Sequence, residues 1–587
     1  MRAILGLVIL GIVTPSVVVA QEQSLKIVFP QTNYKTTAER LFFLGTAPPS
    51  GQVTINGKQI NRSKAGHFAP SLPLQLGENI FTVRYLNQEI QIKVTRVSIQ
   101  PEIPQGLAFA KDSLMPAVDL ARLPGELICL SASATPNASV SAKLGNQTIS
   151  LLPQPQQAQL PNNLAALTGR NQSSTQSTTG KYKGCTTVEA AGDLGQPQFQ
   201  LTLNGQTVSE PGVGKIQILS PAQLPVVEVI AESGVARTGP SSDYSRLTPL
   251  PKGTRSTVTG IEGDWLRLDY GGWIKSQETR ILPGATPPRT IIRSVGYRKL
   301  KTATEMFFPL ETAVPVNVQQ GNRTFILTLY NTTAQTDIIR LDDNPLISRL
   351  DWQQLPAPLK GVQYTFNLKK DQQWGYKLRY NGTNLVLTLR NAPVFSTKSK
   401  PLSGIKILLD PGHGGKESGA SGPTGYLEKD LNLTVSKLVR DELVKRGATV
   451  VMTRQDDREV SLEARQEIIA KEQPAIAISI HHNSLPDDGN AEKIKGFASF
   501  WYQNQAHSLA VFLHNYIVKN LHRPSYGVFW DNLALTRPAI APSVLLELGF
   551  MSNPNEFELI TKPQEQKKTA VAIADALVEW FKRGRSQ

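Results

Sequence analysis

The stretch IKILLDPGHGG, residues 405–415, decides how the last third of this 587-residue chain folds. IKILLD is a short unbroken apolar run, the pattern of a strand buried on both faces of a parallel sheet. It stops at Asp410-Pro411-Gly412 and presents one imidazole, His413, on a glycine-rich turn. Two similar runs follow, ATVVMT (448–453) and AIAISI (475–480). Between the first two, LNLTVSKLVRDELVKRG (431–447) sets Leu431, Val435, Leu438 and Val439 at helical spacing, with Gly447 as the stop. Ser461 can cap SLEARQEIIAKE (461–472), and further helices fit AHSLAVFLHNYIVKNL (506–521) and PQEQKKTAVAIADALVEWFKRG (563–584). Strand–helix alternation predicts an α/β domain with a mostly parallel sheet over 404–583.

Upstream the texture is all-β, so the whole chain reads as multidomain. STKSKPLSG (396–404) is a linker. Residues 288–392 alternate cleanly in NRTFILTLYNTT, GVQYTFNLKK and TNLVLTLRN, and 225–283 alternate short strands with Gly/Pro turns around Trp265, Tyr270 and Trp273. Residues 25–96 predict an immunoglobulin-like β-sandwich, with Asn56-Gly57 a strong hairpin signal. A second sandwich is expected over 101–220. It is interrupted by PQPQQAQLPNNLAALTGRNQSSTQSTTG (153–180), a tract whose composition cannot bury enough surface to order itself. Arg2, the apolar AILGLVILGIV and Val18-Val19-Ala20 give residues 1–20 the grammar of a secretory signal, with an uncleaved anchor as the alternative. Export places Cys129 and Cys185 where disulfides persist, so they are a candidate pair, against the alternative of two unrelated buried thiols.

The formal charge of +15 is uneven. Residues 404–587 hold 22 basic and 22 acidic side chains, so the remainder, 62−22 against 47−22, carries the whole excess. Residues 285–400 alone hold 16 basic and 7 acidic groups. In an exported protein this suggests attraction to an anionic surface polymer and not to nucleic acid; solubility is the competing explanation.

Open α/β sheets gather their chemistry at the carboxyl ends of strands. His413 follows the first run, His481 follows AIAISI, Glu547 ends SVLLEL (543–548), and Glu428 begins the first helix in TGYLEKDLN. Two histidines and one carboxylate make a familiar catalytic zinc set with an open fourth position, where a bound water reaches a pKa of about 7. Spacing alone does not decide this, because 413, 428 and 481 match no short ligand pattern.

Linked motifs do. LLDPGHGG, EKDLNL, VVMTRQDDREVSLEARQEIIA, ISIHHNS and APSVLLELGFMSNPNEFELI together resemble the zinc-dependent N-acetylmuramoyl-L-alanine amidases of the cell-division type, in order and spacing over 404–583. The resemblance implies one Zn2+ per catalytic domain on His413, Glu428 and His481, with Glu547 as the catalytic carboxylate. Asn483, Arg454 and Arg465 match positions that contact substrate or orient the ligands. His482 departs from the family, which has a small residue there. Adjacent strand residues face opposite ways, so the two cannot easily reach one metal, and the family register implies that His481 takes the ligand role. His507, His514 and His522 read as surface or packing residues. LPDDGNAEKIK (485–495) is too short for the autoinhibitory helix some relatives insert there.

Two β segments carry resemblances of their own. ARTGPS…LPKGT…GDWLRL…GGWIK is similar to bacterial SH3-type domains, with Val235-Ala236-Arg237 where Asn-Val-Arg is usual; the aromatic residues could equally be barrel core. Residues 288–392 resemble an AMIN-type domain, which guides wall amidases to the division site. These resemblances imply an exported peptidoglycan hydrolase of the bacterial periplasm or wall, its β modules binding peptidoglycan, anionic polymers or septal proteins. A zinc peptidase acting on stem peptides and a non-catalytic wall-binding adaptor remain the alternatives.

Overall fold

A computed structural model describes residues 24–98, 104–357, 359–394 and 400–586. The expected secretion segment and residues 396–399 of the expected linker lie outside the described residues. Among the described residues no helix is long and apolar enough to cross a membrane.

The C-terminal domain alternates β1 (Lys406–Pro411), α1 (Glu428–Lys445), β2 (Thr449–Met452), α2 (Leu462–Glu472), β3 (Ile476–Asn483), β4 (Phe497–Trp501), α3 (His507–Leu521), β5 (Ser525–Trp530), β6 (Ser543–Phe550), α4 (Pro554–Ile560) and α5 (Pro563–Ser586). The sheet order is β2-β1-β3-β6-β4-β5, and every neighbouring pair is parallel except β4 with β6. Ile407, Leu409, Ile476, Ile478, Val544 and Leu546 pack under α1, α3 and α5, whereas Leu408 and Ala477 face Ile469 of α2 and Ile540. Both faces of the central strands are therefore covered, which is why they read as unbroken apolar runs. Ser461 Oγ accepts the Ala464 N–H at 3.2 Å, and so caps α2. Two expectations shift. β6 continues to Phe550, so Glu547 lies inside the strand and does not end it, and β4 and the edge strand β5 join a sheet that the apolar runs alone did not extend so far.

Upstream, residues 26–96 form a three-stranded sheet, a five-stranded sheet and a two-stranded pair of Arg40–Phe42 with Ser71–Pro73 around Phe43, Phe68, Phe81 and Val94. The Asn56-Gly57 turn is a two-residue hairpin joining Ile55 to Lys58, with φ of 50° and 78°. A six-stranded sheet spans 127–211, and Cys129 faces Cys185 across two of its strands in a disulfide. The boundary at 220–225 is no gap, because Leu120 and Ala121 pair with Glu262 and Ile261, and one sheet runs through both modules. Trp273 is buried there, with the Arg122 and Arg267 guanidinium groups 5.7 and 5.9 Å from its ring. Residues 290–390 form two packed sheets, of five and four strands.

The 153–180 tract corrects its composition. A short hairpin pairs Gln157–Gln159 with Ser174–Gln176, and a helical turn spans Ala165–Thr168. Leu167 packs against Ala498, Phe500 and Leu545 of the C-terminal domain, and Arg170 Nη2 donates to the Asp488 carbonyl at 2.8 Å. Order comes from a neighbour's surface, which composition cannot register. Other modules also touch this domain. The Tyr34 and Thr36 hydroxyls donate to Asp487, Arg390 donates to the Pro474 and Ile540 carbonyls, and Trp374 stacks on Phe581.

Candidate metal centre and active site

Why a lone imidazole sits on so bare a turn becomes plain at the end of β1. Gly412 lies against the His481 ring: a Cβ there would come within 2.1 Å of it. Gly419 has φ +66° and passes Glu428 and His413 so closely that a Cβ would stand 2.4 Å from Glu428 Oε2. His413 itself adopts φ 59°, an uncommon conformation for a non-glycine residue. Three consecutive carbonyls hold it there. Pro411 O accepts Arg454 Nε at 3.0 Å and Arg465 Nη1 at 2.8 Å. Gly412 O accepts Arg454 Nη2 at 2.9 Å, and His413 O accepts Arg465 Nη2 at 2.7 Å. Both arginines are buried, Arg454 completely, so each guanidinium grips the turn from behind. Asp410 neutralises one: its carboxylate takes Arg465 Nη1, the Thr453 hydroxyl and the Ser479 hydroxyl, each at 2.6 Å.

On the open side of that turn, one donor atom from each of His413, Glu428 and His481 falls within 4.8 Å of the others. His413 Nε2 is 3.2 Å from Glu428 Oε2, and His481 Nδ1 is 3.1 Å from Oε1. The imidazoles keep 28% and 16% of their side-chain surface exposed, against 5% for Glu428, so solvent reaches the cluster from the histidine side. Burial opposes the Glu428 charge, but hydrogen bonds from both histidines outweigh it and hold the carboxyl well below its usual range. Burial likewise works against a charged His413, yet Glu428 raises its pKa on balance.

Glu547 stands beside this cluster, because β3 and β6 pair His481 with Glu547 in register. The residue keeps some exposed surface, but its Oε2 is shut away with no hydrogen-bond partner. Burial, and secondarily the Glu428 charge, push its pKa well above 4.5. Asn483 caps the end of β3: its Oδ1 accepts the Ser484 N–H at 2.8 Å and its carbonyl the Met551 N–H at 2.7 Å. The segment 485–495 contains turns and no helix. His507 is exposed beside the Trp501 ring, His514 is buried against Asn515 and Ser525, and His522 ends α3; none of the three belongs to the cluster.

Sequence reasoning missed two residues. Asp410 was read only as the end of a strand, and Asn432 only as part of the first helix. The signal for Asn432 was available, since it lies four residues after Glu428 on the same helix face.

Residues 407–579 match the family model described as N-acetylmuramoyl-L-alanine amidase, Amidase_3. The germination-specific N-acetylmuramoyl-L-alanine amidase of Bacillus subtilis is 34% identical over 205 residues, covering 31% of this chain and 82% of that protein. The probable cell wall amidase LytH of Staphylococcus epidermidis is 37% identical over 188 residues, 32% of this chain and 62% of that protein. Its Staphylococcus aureus counterpart is 39% identical over 202 residues, 34% of this chain and 65% of that protein. The chain thus spans under two thirds of the staphylococcal relatives' length. Among solved structures, the N-acetylmuramoyl-L-alanine amidase AmiC2 of Nostoc punctiforme is 32% identical, covering 31% of this chain and 99% of that one, with a TM-score of 0.30.

Proposed function

The chain belongs, through residues 407–579, to the N-acetylmuramoyl-L-alanine amidase family, and from that premise we propose that it hydrolyses the amide between N-acetylmuramic acid and the L-alanine of the stem peptide. The observation that carries the reading is the convergence of His413, Glu428 and His481 within 4.8 Å, beside a carboxylate whose Oε2 has no partner. Two imidazoles and an ionised carboxylate suit one zinc ion, and these three residues would hold it. Bound there, zinc would polarise the scissile carbonyl and make water a nucleophile near neutral pH.

The remaining work falls to the chain. Glu547 takes a proton from the attacking water and returns it to the leaving nitrogen, so the amide opens into a free carboxyl and the amino terminus of L-alanine. A carboxyl that burial and the Glu428 charge lift above the usual carboxylate range is a stronger base toward that water than an exposed one. Arg454, Arg465 and Asp410 keep the His413 turn in place without touching substrate. The immunoglobulin-like, SH3-like and AMIN-like modules would hold the enzyme on peptidoglycan, with their basic excess drawn to anionic polymers or to septal proteins. The protein would thus work outside the cytoplasm, in the periplasm or wall, during remodelling or cell separation.

The test is digestion of purified peptidoglycan by the full chain, with and without a chelator, reading products by mass. Free stem peptides beginning with L-alanine are expected, lost on chelation and in Glu547→Ala. Cleavage inside the stem would make the protein a peptidase; bound zinc without products would favour a wall-binding adaptor.

A further inference from the structure

His482 follows the proposed ligand His481 on β3 and points away from it, because neighbouring strand residues face opposite sides of a sheet. It ends up beneath α1, 2% exposed. Its Nδ1 lies 2.7 Å from Asn432 Oδ1. Asn432 is fully buried, and its Nδ2 donates to Glu428 Oε1 at 2.9 Å and to the Gly412 carbonyl at 3.3 Å.

Hydrogen-bond inventory fixes the direction of each contact. An ionised carboxylate and a carbonyl only accept, so both demand the NH2 end of the Asn432 amide. The amide oxygen must then face His482. An oxygen accepts, so His482 Nδ1 must carry the ring proton. The donors run one way, from His482 to Asn432 and from Asn432 to Glu428. The His482 backbone N–H donates to the same Oε1 at 3.1 Å, and the Ala420 N–H holds Oε2 at 2.9 Å. The carboxylate is thereby pinned on its protein side, with its outer edge toward His413 and His481.

We infer that His482 is a positioning residue for Glu428, fixing the Asn432 amide so that its NH2 faces the carboxylate. The inference rests on the reading of Glu428 as a metal ligand. An apolar side chain at 482 would leave Asn432 Oδ1 buried without a donor. The amide could then turn over and present oxygen to the carboxylate, repelling it. Partners of this kind typically change metal affinity by about 10–100-fold when removed.

The experiment uses the full chain and zinc alone, measuring affinity by competition with a fluorescent chelator and the ligand field by the absorption of the cobalt-substituted protein. His482→Leu keeps bulk and removes the donor. His482→Asn restores an N–H near the Nδ1 position, and Asn432→Ala removes the intermediary. His482→Leu and Asn432→Ala should each weaken zinc by about 10–100-fold and alter the cobalt spectrum, while His482→Asn stays close to wild type. The double variant should bind no more weakly than Asn432→Ala alone, because His482 acts only through that amide. Wild-type affinity and an unchanged cobalt spectrum in His482→Leu would overturn the inference, as would two losses that simply add. A wild type that takes up no zinc would sink the metal reading of the site, and the role of His482 with it. That failure is distinguishable, since it appears before any substitution. If His482→Leu does not fold, His482→Asn against Asn432→Ala still decides: equal losses in both would refute rescue by an N–H donor.

Discussion

Glu547→Gln should separate what this residue does for chemistry from what it does to stability. Its Oε2 is buried without a partner, and burial together with Glu428 lifts its pKa well above 4.5. A carboxyl whose folded pKa exceeds its unfolded value binds its proton more tightly in the folded state. Its contribution to stability is therefore fully present below about pH 4.5 and is lost as the pH rises through the folded value. Glutamine is neutral throughout and nearly the same shape. In the zinc-free protein the variant should lie close to wild type near pH 5 and exceed it at pH 8, by about 1.4 kcal/mol for each pH unit over which the unfolded chain has lost this proton and the folded one keeps it. For a domain of this size that is a rise of about 2–4 °C in melting temperature per kcal/mol. Calorimetry of the full chain at both pH values, with hydrogen exchange across Ser543–Phe550, reads it directly. Peptidoglycan hydrolysis by the zinc-loaded variant should meanwhile fall about 10²–10⁴-fold, the range for loss of a general base. A variant less stable than wild type at pH 8, or a difference that ignores pH, would refute the picture of an unpartnered acid held beside Glu428.

Asp410→Ala strips the counter-charge from Arg465 at a contact of 2.6 Å where both side chains are at most 3% exposed. It should cost about 3–5 kcal/mol by thermal denaturation and abolish zinc uptake, because the His413 turn hangs on Arg465. Cys129→Ser removes a bridge spanning 56 residues and should destabilise the 127–211 sheet by about 2–5 kcal/mol, while zinc affinity stays at the wild-type value. Leu167→Asp with Arg170→Glu should detach the 153–180 tract from the C-terminal domain. Limited proteolysis would then nick it markedly faster than in the wild type, and unchanged cleavage would mean the contact contributes nothing.

The α/β domain was legible because burial on both faces leaves a trace in every residue of a central strand. IKILLD, ATVVMT and AIAISI each overlie an observed strand to within a few residues. The edge strand Ser525–Trp530 lacked that trace, since Ser525 and Trp530 are exposed and Gly527 interrupts it, and the buried Phe497–Trp501 beside it carries Ser499 in mid-strand. The proposed ligands were named from the order of linked motifs and not from spacing, as residues 15 and 53 apart in the chain meet only after β1, α1 and β3 pack. The strand pairing of Ala121 with Ile261 was invisible for the same reason: register between distant strands is not written in either one. The 153–180 tract failed differently, because its order belongs to Phe500 and Leu545 as much as to itself.

One physical theme joins what was read and what was missed. The residues expected to do chemistry, His413, Glu428, His481 and Glu547, are each held in a state that is costly in isolation: a positive φ, a buried anion, a ring against a Cα, and an unpartnered carboxyl. Such strain persists only where the surroundings over-determine it. Here they do so with groups of opposite character on the two sides of the site. Behind the His413 turn, two buried guanidiniums, that of Arg465 paired with Asp410, cap three successive carbonyls. Lysine could not replace either one, since a single ammonium cannot reach two carbonyls in the geometry of a planar fork. Under α1, neutral donors do the equivalent work for Glu428, ending in His482 and Asn432. The anion stays ionised while remaining open on its outer edge, which is the condition a metal ligand must meet.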